Sequence, residues 1–333
     1  MPAMKAHTLS PNARQGDIFD HIRDGCRFVA SRAAHVHIRE DRLKEYAISL
    51  SPRSPSNVLD DAHHFTSQDP ETLATYILSL EAVNFGSGFE IDLINEGWPV
   101  QDNSLYFTVS TALKECFEQY GPWNAIIMRR IGVDSIRSIF KLPDGRFGNA
   151  LAAMFTTSIN EMGAFIEDEY DGSFMKMVQS AEGLAARLVG QLANLDGFRD
   201  VSNYQGRDIA LYKRAQITAM DMHLAFGRIG KPLFGDLDRL TIFADNGLPH
   251  VLQVDGVLDL HPGLAAKISQ GQFITAGSEE EIELRCCAVE AVERLAAIKG
   301  MRVADLDHIL WHRSVEDPKY STRPAHRTLT RFY

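Results

Sequence analysis

The sequence predicts a mainly α-helical protein with a few short strands, organised as a single globular domain over residues 1–333. Three observations carry that expectation. Apolar residues recur at the three-and-four spacing of a helix face through most of the chain, cap residues and glycines punctuate those stretches, and alternating apolar runs are few. With 45% of its residues apolar, a chain of this length can fill a sizeable core.

Taken in order, the elements begin with an N-terminal helical subdomain, considered over residues 17–68. YAISLS, Tyr46 to Ser51, reads as the best strand. The irregular Ser51 to Asp69 segment is the best boundary candidate, but reads as a loop within one unit. Asp69 then caps a helix with Pro70 at its first position, and Leu73, Tyr76, Ile77 and Leu80 share one face. Counting on by four reaches Asn84, near the end of the buried stripe, before GSGF (Gly86 to Phe89) breaks the helix. Further helices are expected over Ser104 to Tyr120, Asn149 to about Tyr170, and Phe174 to about Leu195. An Asn-Tyr-Gln-Gly turn near Asp200 to Ile209 can join two short extended pieces, and the next helix runs from about Ile209 to Phe226. A capping box, Ser278 with Glu281, opens a long helix closed by Gly300. The last helix spans Arg302 to Arg313, and no internal repeat is visible.

The formal net charge of -10 disfavours a nucleic-acid polymer as a direct partner, since that contact calls for a basic face. Cys26, Cys116, Cys286 and Cys287 form no CxxC pair and read as reduced, buried thiols. No apolar run reaches membrane-span length and MPAMKAHTLSPNARQG lacks a signal-peptide core, so the expected location is the cytoplasm and no membrane partner is expected. GxGxxG, GxxxxGK[ST] and GxSxG are absent, which removes the common dinucleotide, NTPase and serine-hydrolase readings.

The residues that carry chemistry each have a plainer reading. His308 and His312 in DHILWH share a helix face beside Asp307, so a metal pair is conceivable, but the apolar residues between them favour a polar pocket edge or plain surface histidines. HExxH, with its general-base glutamate, is not present. His63 and His64 in DDAHHF read alone as a solvated loop. Lys213 and Arg214 in YKRAQITAMD can hold a phosphate, or pair with acids on a solvated face. The tail HRTLTRFY reads as a terminus docked by Phe332 and Tyr333 with its arginines in water. Asp245 in TIFADNGLPHVL closes an apolar run at an Asn-Gly turn, and local reasoning leaves it equally a helix N-cap or a catalytic carboxylate.

Seven segments fall in order from about residue 60: EAVNF (Glu81 to Phe85), GSF (Gly172 to Phe174), FRD (Phe198 to Asp200), YKRAQI (Tyr212 to Ile217), TIFAD with LPHVL, EIELRCC and LDHILW. Together they resemble the queuosine salvage protein family, the queuosine 5'-phosphate N-glycosylase/hydrolases. The resemblance implies an enzyme that cleaves the N-glycosidic bond of queuosine 5'-monophosphate to release queuine. It also implies a fold similar to the helix-hairpin-helix DNA glycosylases. The family's essential aspartate falls on Asp245, its base-contacting residues on Asp307, His308 and His312, and an upstream histidine on His63 or His64. The chain departs from the family where FADYR is FADNG, where the residue after LW is His312, and where NF is followed by GSGF.

Cleaving an N-glycosidic bond builds positive charge on the ribose, which a carboxylate such as Asp245 stabilises while it orients or deprotonates water. A 7-deazapurine has no N7 to protonate, so hydrogen bonds from Asp307, His308 and His312 must help it leave. On the same resemblance Phe243 or Trp311 packs on the base, Asn84 belongs to the substrate wall, and Lys213, Arg214, Arg327 and Arg331 are the phosphate donors considered. Neither metal nor organic cofactor is called for, the substrate is a small molecule, and a monomer is expected. The alternatives are a nucleotide- or base-binding protein that has lost its chemistry, and a glycosidase for another nucleoside monophosphate.

Overall fold

A computed structural model describes residues 17–51, 59–100 and 104–333. In α1 (Ile18–Ala30), the Asp17 carboxylate accepts from the Phe19 and Asp20 N–H groups, and Phe19, Ile22, Cys26 and Val29 form the buried stripe. β1 (Val36–Ile38) follows. The strand expected at Tyr46 to Ser51 is instead the end of α2 (Glu40–Ser49) and its exit at Leu50. Leu43, Tyr46, Ala47 and Leu50 are buried at helical spacing while Ile48 is 80% exposed, so the apparent alternation belongs to a helix stripe seen over too short a window.

α3 (Pro70–Glu81) starts as predicted, with Asp69 accepting from the Thr72 N–H at 2.9 Å. From Leu73 to Glu81 every residue is buried, so α3 is an interior helix and not an amphipathic one. A 3-10 turn (Ser87–Phe89) occupies the GSGF break, and α4 (Glu90–Asn95) follows it. A Cβ at Gly88 would lie 2.1 Å from the Thr328 carbonyl oxygen, so glycine is what lets the C-terminal tail lie against this turn. Next come α5 (Leu105–Tyr120), α6 (Ala125–Arg130), α7 (Val133–Ile139) and α8 (Arg146–Tyr170), the last ended by Asp171 in the left-handed region.

The single helix expected from Phe174 to about Leu195 is two, α9 (Phe174–Ser180) and α10 (Ala185–Leu192). Glu182 and Gly183 turn left-handed between them, and the Asp236 carboxylate caps α10 through the Ala185 and Ala186 N–H groups. β2 (Val201–Tyr204) and β3 (Arg207–Ala210) form the expected hairpin. Its two-residue loop, Gln205 and Gly206, has positive φ at both positions, the twist that suits such turns. α11 (Lys213–Arg228) therefore starts later than Ile209, which belongs to β3.

α12 (Gly247–Val254), β4 (Leu258–Leu260), α13 (Pro262–Ser269) and α14 (Glu279–Lys299) follow, and β4 pairs antiparallel with β1. Ser278 accepts from the Glu281 N–H as the capping box predicts, while the Glu281 carboxylate reaches back to the Gly277 N–H. α14 is buried along most of its length because α1, α2 and α12 all pack against it, as does α15 (Val303–Glu316). α16 (Pro318–Ser321) leads into the tail.

The tail is pinned by a parallel bridge between Phe273 and Arg327 and by a hydrogen bond from the Gly86 N–H to the Tyr333 carbonyl. Tyr333 is buried and Phe332 half-buried. The tail arginines, expected in water, are instead drawn into ion pairs, Arg327 with Asp92 and Arg331 with Glu161. The four cysteines are buried and free. Among the described residues no helix is long and apolar enough to cross a membrane.

Candidate active site

The segment Thr241 to Ala244 is buried and has no strand partner, so its peptide groups need side chains to satisfy them. Three helices supply them. Gln216 of α11 bonds both the Thr241 N–H and its hydroxyl, the Asp307 carboxylate of α15 accepts from the Phe243 N–H at 2.7 Å, and Arg285 of α14 donates to the Ala244 carbonyl at 2.8 Å. Arg285 is held in turn by Asp200, which takes two of its N–H groups, and by Glu281. This explains why FRD, YKRAQI, EIELRCC and LDHILW accompany TIFAD: the last three each peg the short segment, and FRD supplies Asp200, which holds the Arg285 peg.

That segment ends at the wall of a cavity of about 840 Å³, and Asp245 is half-buried on the wall. Its Oδ1 accepts from the Gly247 N–H at 2.7 Å and the Leu248 N–H at 3.3 Å, capping α12. Oδ2 makes no hydrogen bond among the described residues. The two readings left open by the sequence are therefore compatible, because one oxygen caps the helix and the other is available to the cavity.

Asp307 shares the wall with Asp245 and is buried. Burial, reinforced by the Asp245 charge, pushes its carboxyl up to about 7 against the lowering effects of the Phe243 N–H and Lys213. A folded-state value raised from 3.8 to about 7 means the native protein binds this proton more tightly than the unfolded chain. Stability is then lost as pH rises through that window and is level above it. Asp307→Asn removes the titration, so its stability relative to the wild type should grow between pH 4 and pH 7, by on the order of 4 kcal/mol at most. Thermal unfolding of both proteins at pH 5 and pH 8 checks this; a difference independent of pH would contradict it.

Of the other residues singled out from sequence, Asn84, Lys213, Phe243, His308, Trp311 and Arg327 also line the cavity. Lys213 is buried, and its ammonium makes no hydrogen bond among the described residues. His312 does not line the cavity. It bonds Glu316 through Nδ1 at 2.6 Å and packs edge-on against the His308 ring. His64 is buried behind the wall, its Nε2 bonded to the hydroxyl of the lining Tyr106 at 2.9 Å, and burial lowers its pKa to about 4. His63 pairs with Asp60 and lies against the Phe107 ring.

Two arginines considered for phosphate are committed elsewhere. The Arg214 guanidinium donates to the carbonyls of Glu81, Gly197 and Arg331 and lies between the Phe85 and Phe198 rings. Arg331 pairs with Glu161. Among the described residues no group of three or more His, Cys, Asp or Glu side chains is arranged to hold a metal ion.

Sequence reasoning passed over Glu81, Asp221 and Arg285 although all three lie in segments it quoted. Lys213, Ile217, Met220, Asp221 and Leu224 all line the cavity, and that helical spacing from Lys213 is the signal that leads to Asp221. The pattern of the queuosine salvage protein family matches residues 63–333. A queuosine 5'-phosphate N-glycosylase/hydrolase of Sphaerobacter thermophilus is 32% identical over 92% of this chain and 96% of its own length. The proteins of the same name from Dictyostelium discoideum and Bos taurus are 35% identical over 53% of this chain and 26% identical over 93%, covering 56% and 98% of their own lengths. With the family pattern spanning most of the chain and its motif segments converging on one carboxylate at one cavity, the chain belongs to the queuosine salvage protein family.

Proposed function

We propose that this protein is an N-glycosidase that hydrolyses queuosine 5'-monophosphate to queuine and ribose 5-phosphate, with Asp245 as its catalytic carboxylate. The observation that carries the reading is the pair of carboxyls on one cavity wall, Asp245 with an oxygen free of hydrogen bonds among the described residues and Asp307 buried, with its carboxyl pushed up to about 7. A buried carboxyl that holds its proton suits the role of acid, and a neighbouring carboxylate with an oxygen open to the cavity suits that of base.

In the proposed reaction the C1'–N bond breaks and its electron pair passes to the base nitrogen, leaving oxocarbenium character on the ribose. Asp245 stabilises that charge and takes a proton from the attacking water, whose oxygen bonds to C1'. Asp307, its Oδ1 fixed by the Phe243 N–H, gives its proton to the departing base. Proton return from Asp245 to solvent and reprotonation of Asp307 reset the site. Phe243 and Trp311 offer aromatic surface to the base, while Asn84, His308 and Lys213 supply polar contacts, with His312 and His64 supporting the wall from behind. If Asp307 is the acid, turnover declines as pH rises above about 7, and Asp307→Asn removes that alkaline limb together with most of the rate. A pH profile of kcat checks this.

For the phosphate, Arg323 is the better placed donor. It is exposed at the cavity rim and makes no ion pair among the described residues, whereas Arg327 is tied to Asp92. Arg323→Ala should raise KM for the nucleotide about tenfold and leave KM for the unphosphorylated nucleoside nearly unchanged. Equal effects on both substrates would remove it from this role.

We read the enzyme as a cytoplasmic monomer acting on a free nucleotide, a choice supported by the acidic charge balance. The likeness to helix-hairpin-helix DNA glycosylases belongs to the same reading and is supported by the mainly helical architecture. A panel of queuosine, guanosine and 7-deazaguanosine 5'-monophosphates, assayed for base release by mass spectrometry, tests the substrate. Preferred cleavage of another member would replace queuosine 5'-monophosphate with that nucleotide.

A further inference from the structure

Behind the Asp245 and Asp307 wall, α11 brings Asp221 into hydrogen-bond contact with Glu81 at the end of α3. The two are 2% and 0% exposed, and Asp221 lines the cavity. Glu81 Oε2 accepts from Asn84 Nδ2 at 3.0 Å, but Glu81 Oε1 and Asp221 Oδ2 receive no N–H or O–H donor from a described residue. Two touching carboxyls with an orphan oxygen each are satisfied by one proton between them, since buried like charges at that separation cannot both ionise. Burial raises the pKa of both, and for Asp221 the Glu81 charge adds to it.

The pair then carries about one negative charge, and so does the nearby Asp245 and Asp307 wall when Asp307 is protonated. Against these stand the buried Lys213 ammonium and, behind Glu81, the Arg214 guanidinium, whose donors are spent on backbone carbonyls. Neither cation donates a hydrogen bond to Glu81 Oε1 or Asp221 Oδ2. A neutral purine edge can donate to one of these oxygens but gives the charge shared by the pair no direct partner. A cation beside Asp221 would release the shared proton to solvent and replace it with charge-assisted hydrogen bonds.

We propose that the Glu81–Asp221 pair, oriented by Asn84, is a specificity subsite that recognises a protonated aliphatic amine carried on the base of the substrate. This rests on the glycosidase reading, in which the base of queuosine bears such an amine on its side arm. Asp221 touches the amine and Glu81 acts through Asp221 as a positioning residue.

The test compares queuine with its analogue in which a CH2 group replaces the arm NH, each titrated calorimetrically into the full chain. Wild type, Asp221→Asn and Glu81→Gln are used, with thermal unfolding to establish that each is folded. An amide reproduces the shape and the donor of a protonated carboxyl, so the contact between the two side chains survives while the negative charge does not. The wild type should prefer queuine over the analogue, and Asp221→Asn should lower that ratio about tenfold to a hundredfold. If Asp221→Asn does not fold, the same ratio measured in Glu81→Gln decides. A wild-type ratio near one, or a ratio that the folded variant leaves unchanged, overturns the subsite. Free bases bind without turnover, so failure of the wild type to cleave the nucleotide would count against the glycosidase reading alone. Failure of the wild type to bind queuine would overturn both.

Discussion

Asp245→Asn should fold, bind queuosine 5'-monophosphate with near wild-type affinity, and lose turnover by about three orders of magnitude or more. The choice of asparagine follows from the geometry. Asp245 Oδ1 caps α12 through the Gly247 and Leu248 N–H groups, and asparagine caps as well as aspartate does. The amide therefore keeps the cap and removes the negative charge and the proton acceptor facing the cavity. Asp245→Ala loses both and should cost about 1 kcal/mol of stability besides the chemistry. Steady-state rates, ligand titration and thermal unfolding of the two variants separate the roles. Unimpaired turnover by Asp245→Asn would remove Asp245 from the chemistry, and a stability loss equal to that of the alanine variant would remove the cap argument.

The second large effect is expected at Arg285, which never touches the cavity. Its guanidinium joins Asp200, Glu281 and the Ala244 carbonyl, and Tyr333 lies against its face at 4.4 Å. Arg285→Ala strands two buried carboxylates and one buried carbonyl, with an expected loss of about 3 to 5 kcal/mol. Chemical denaturation of the purified variant measures it, and wild-type stability would contradict the account. Arg285→Lys keeps the charge but cannot reach all three acceptors. It should fold better than the alanine variant and show lower kcat with little change in KM, because the Asp245 backbone loses its peg while the substrate contacts persist. An unchanged kcat would reduce Arg285 to a structural role.

The helices were legible where local rules decide them. Asp69 and Ser278 cap where their side chains predict, because an N-cap needs nothing beyond its own turn, and the helix expected from Ser104 starts there with Ser104 as its cap. The split between α9 and α10 depends on Asp236 arriving from a distant segment to cap α10, and α2 was misread because its exposed Ile48 mimics strand alternation. At the site, the motifs led to Asp245, Phe243 and Asp307 on one wall. They could not reveal Glu81, because burial of α3 on every side comes from the helices packed around it and not from its own periodicity.

The Asn-Gly of FADNG has a definite position. Asn246 and Gly247 both line the cavity, and the Gly247 N–H is the shorter of the two bonds to Asp245 Oδ1. A Cβ at Gly247 would come within 3.1 Å of Ser314 Oγ and 3.3 Å of Asp245 Oδ1. Glycine here lets the chain turn closely past the carboxylate. A side chain here would require Ser314 or the carboxylate to give by a few tenths of an ångström.

In the proposed reaction this protein breaks the N-glycosidic bond of queuosine 5'-monophosphate with water at Asp245. Incubating the full chain with that nucleotide in 18O-labelled water, and following the products by mass spectrometry, tests it most directly. The expected products are queuine and ribose 5-phosphate in equal amounts, with the label in the sugar and no release by Asp245→Asn. Nucleotide recovered intact from the wild type, or release undiminished in the variant, would contradict it.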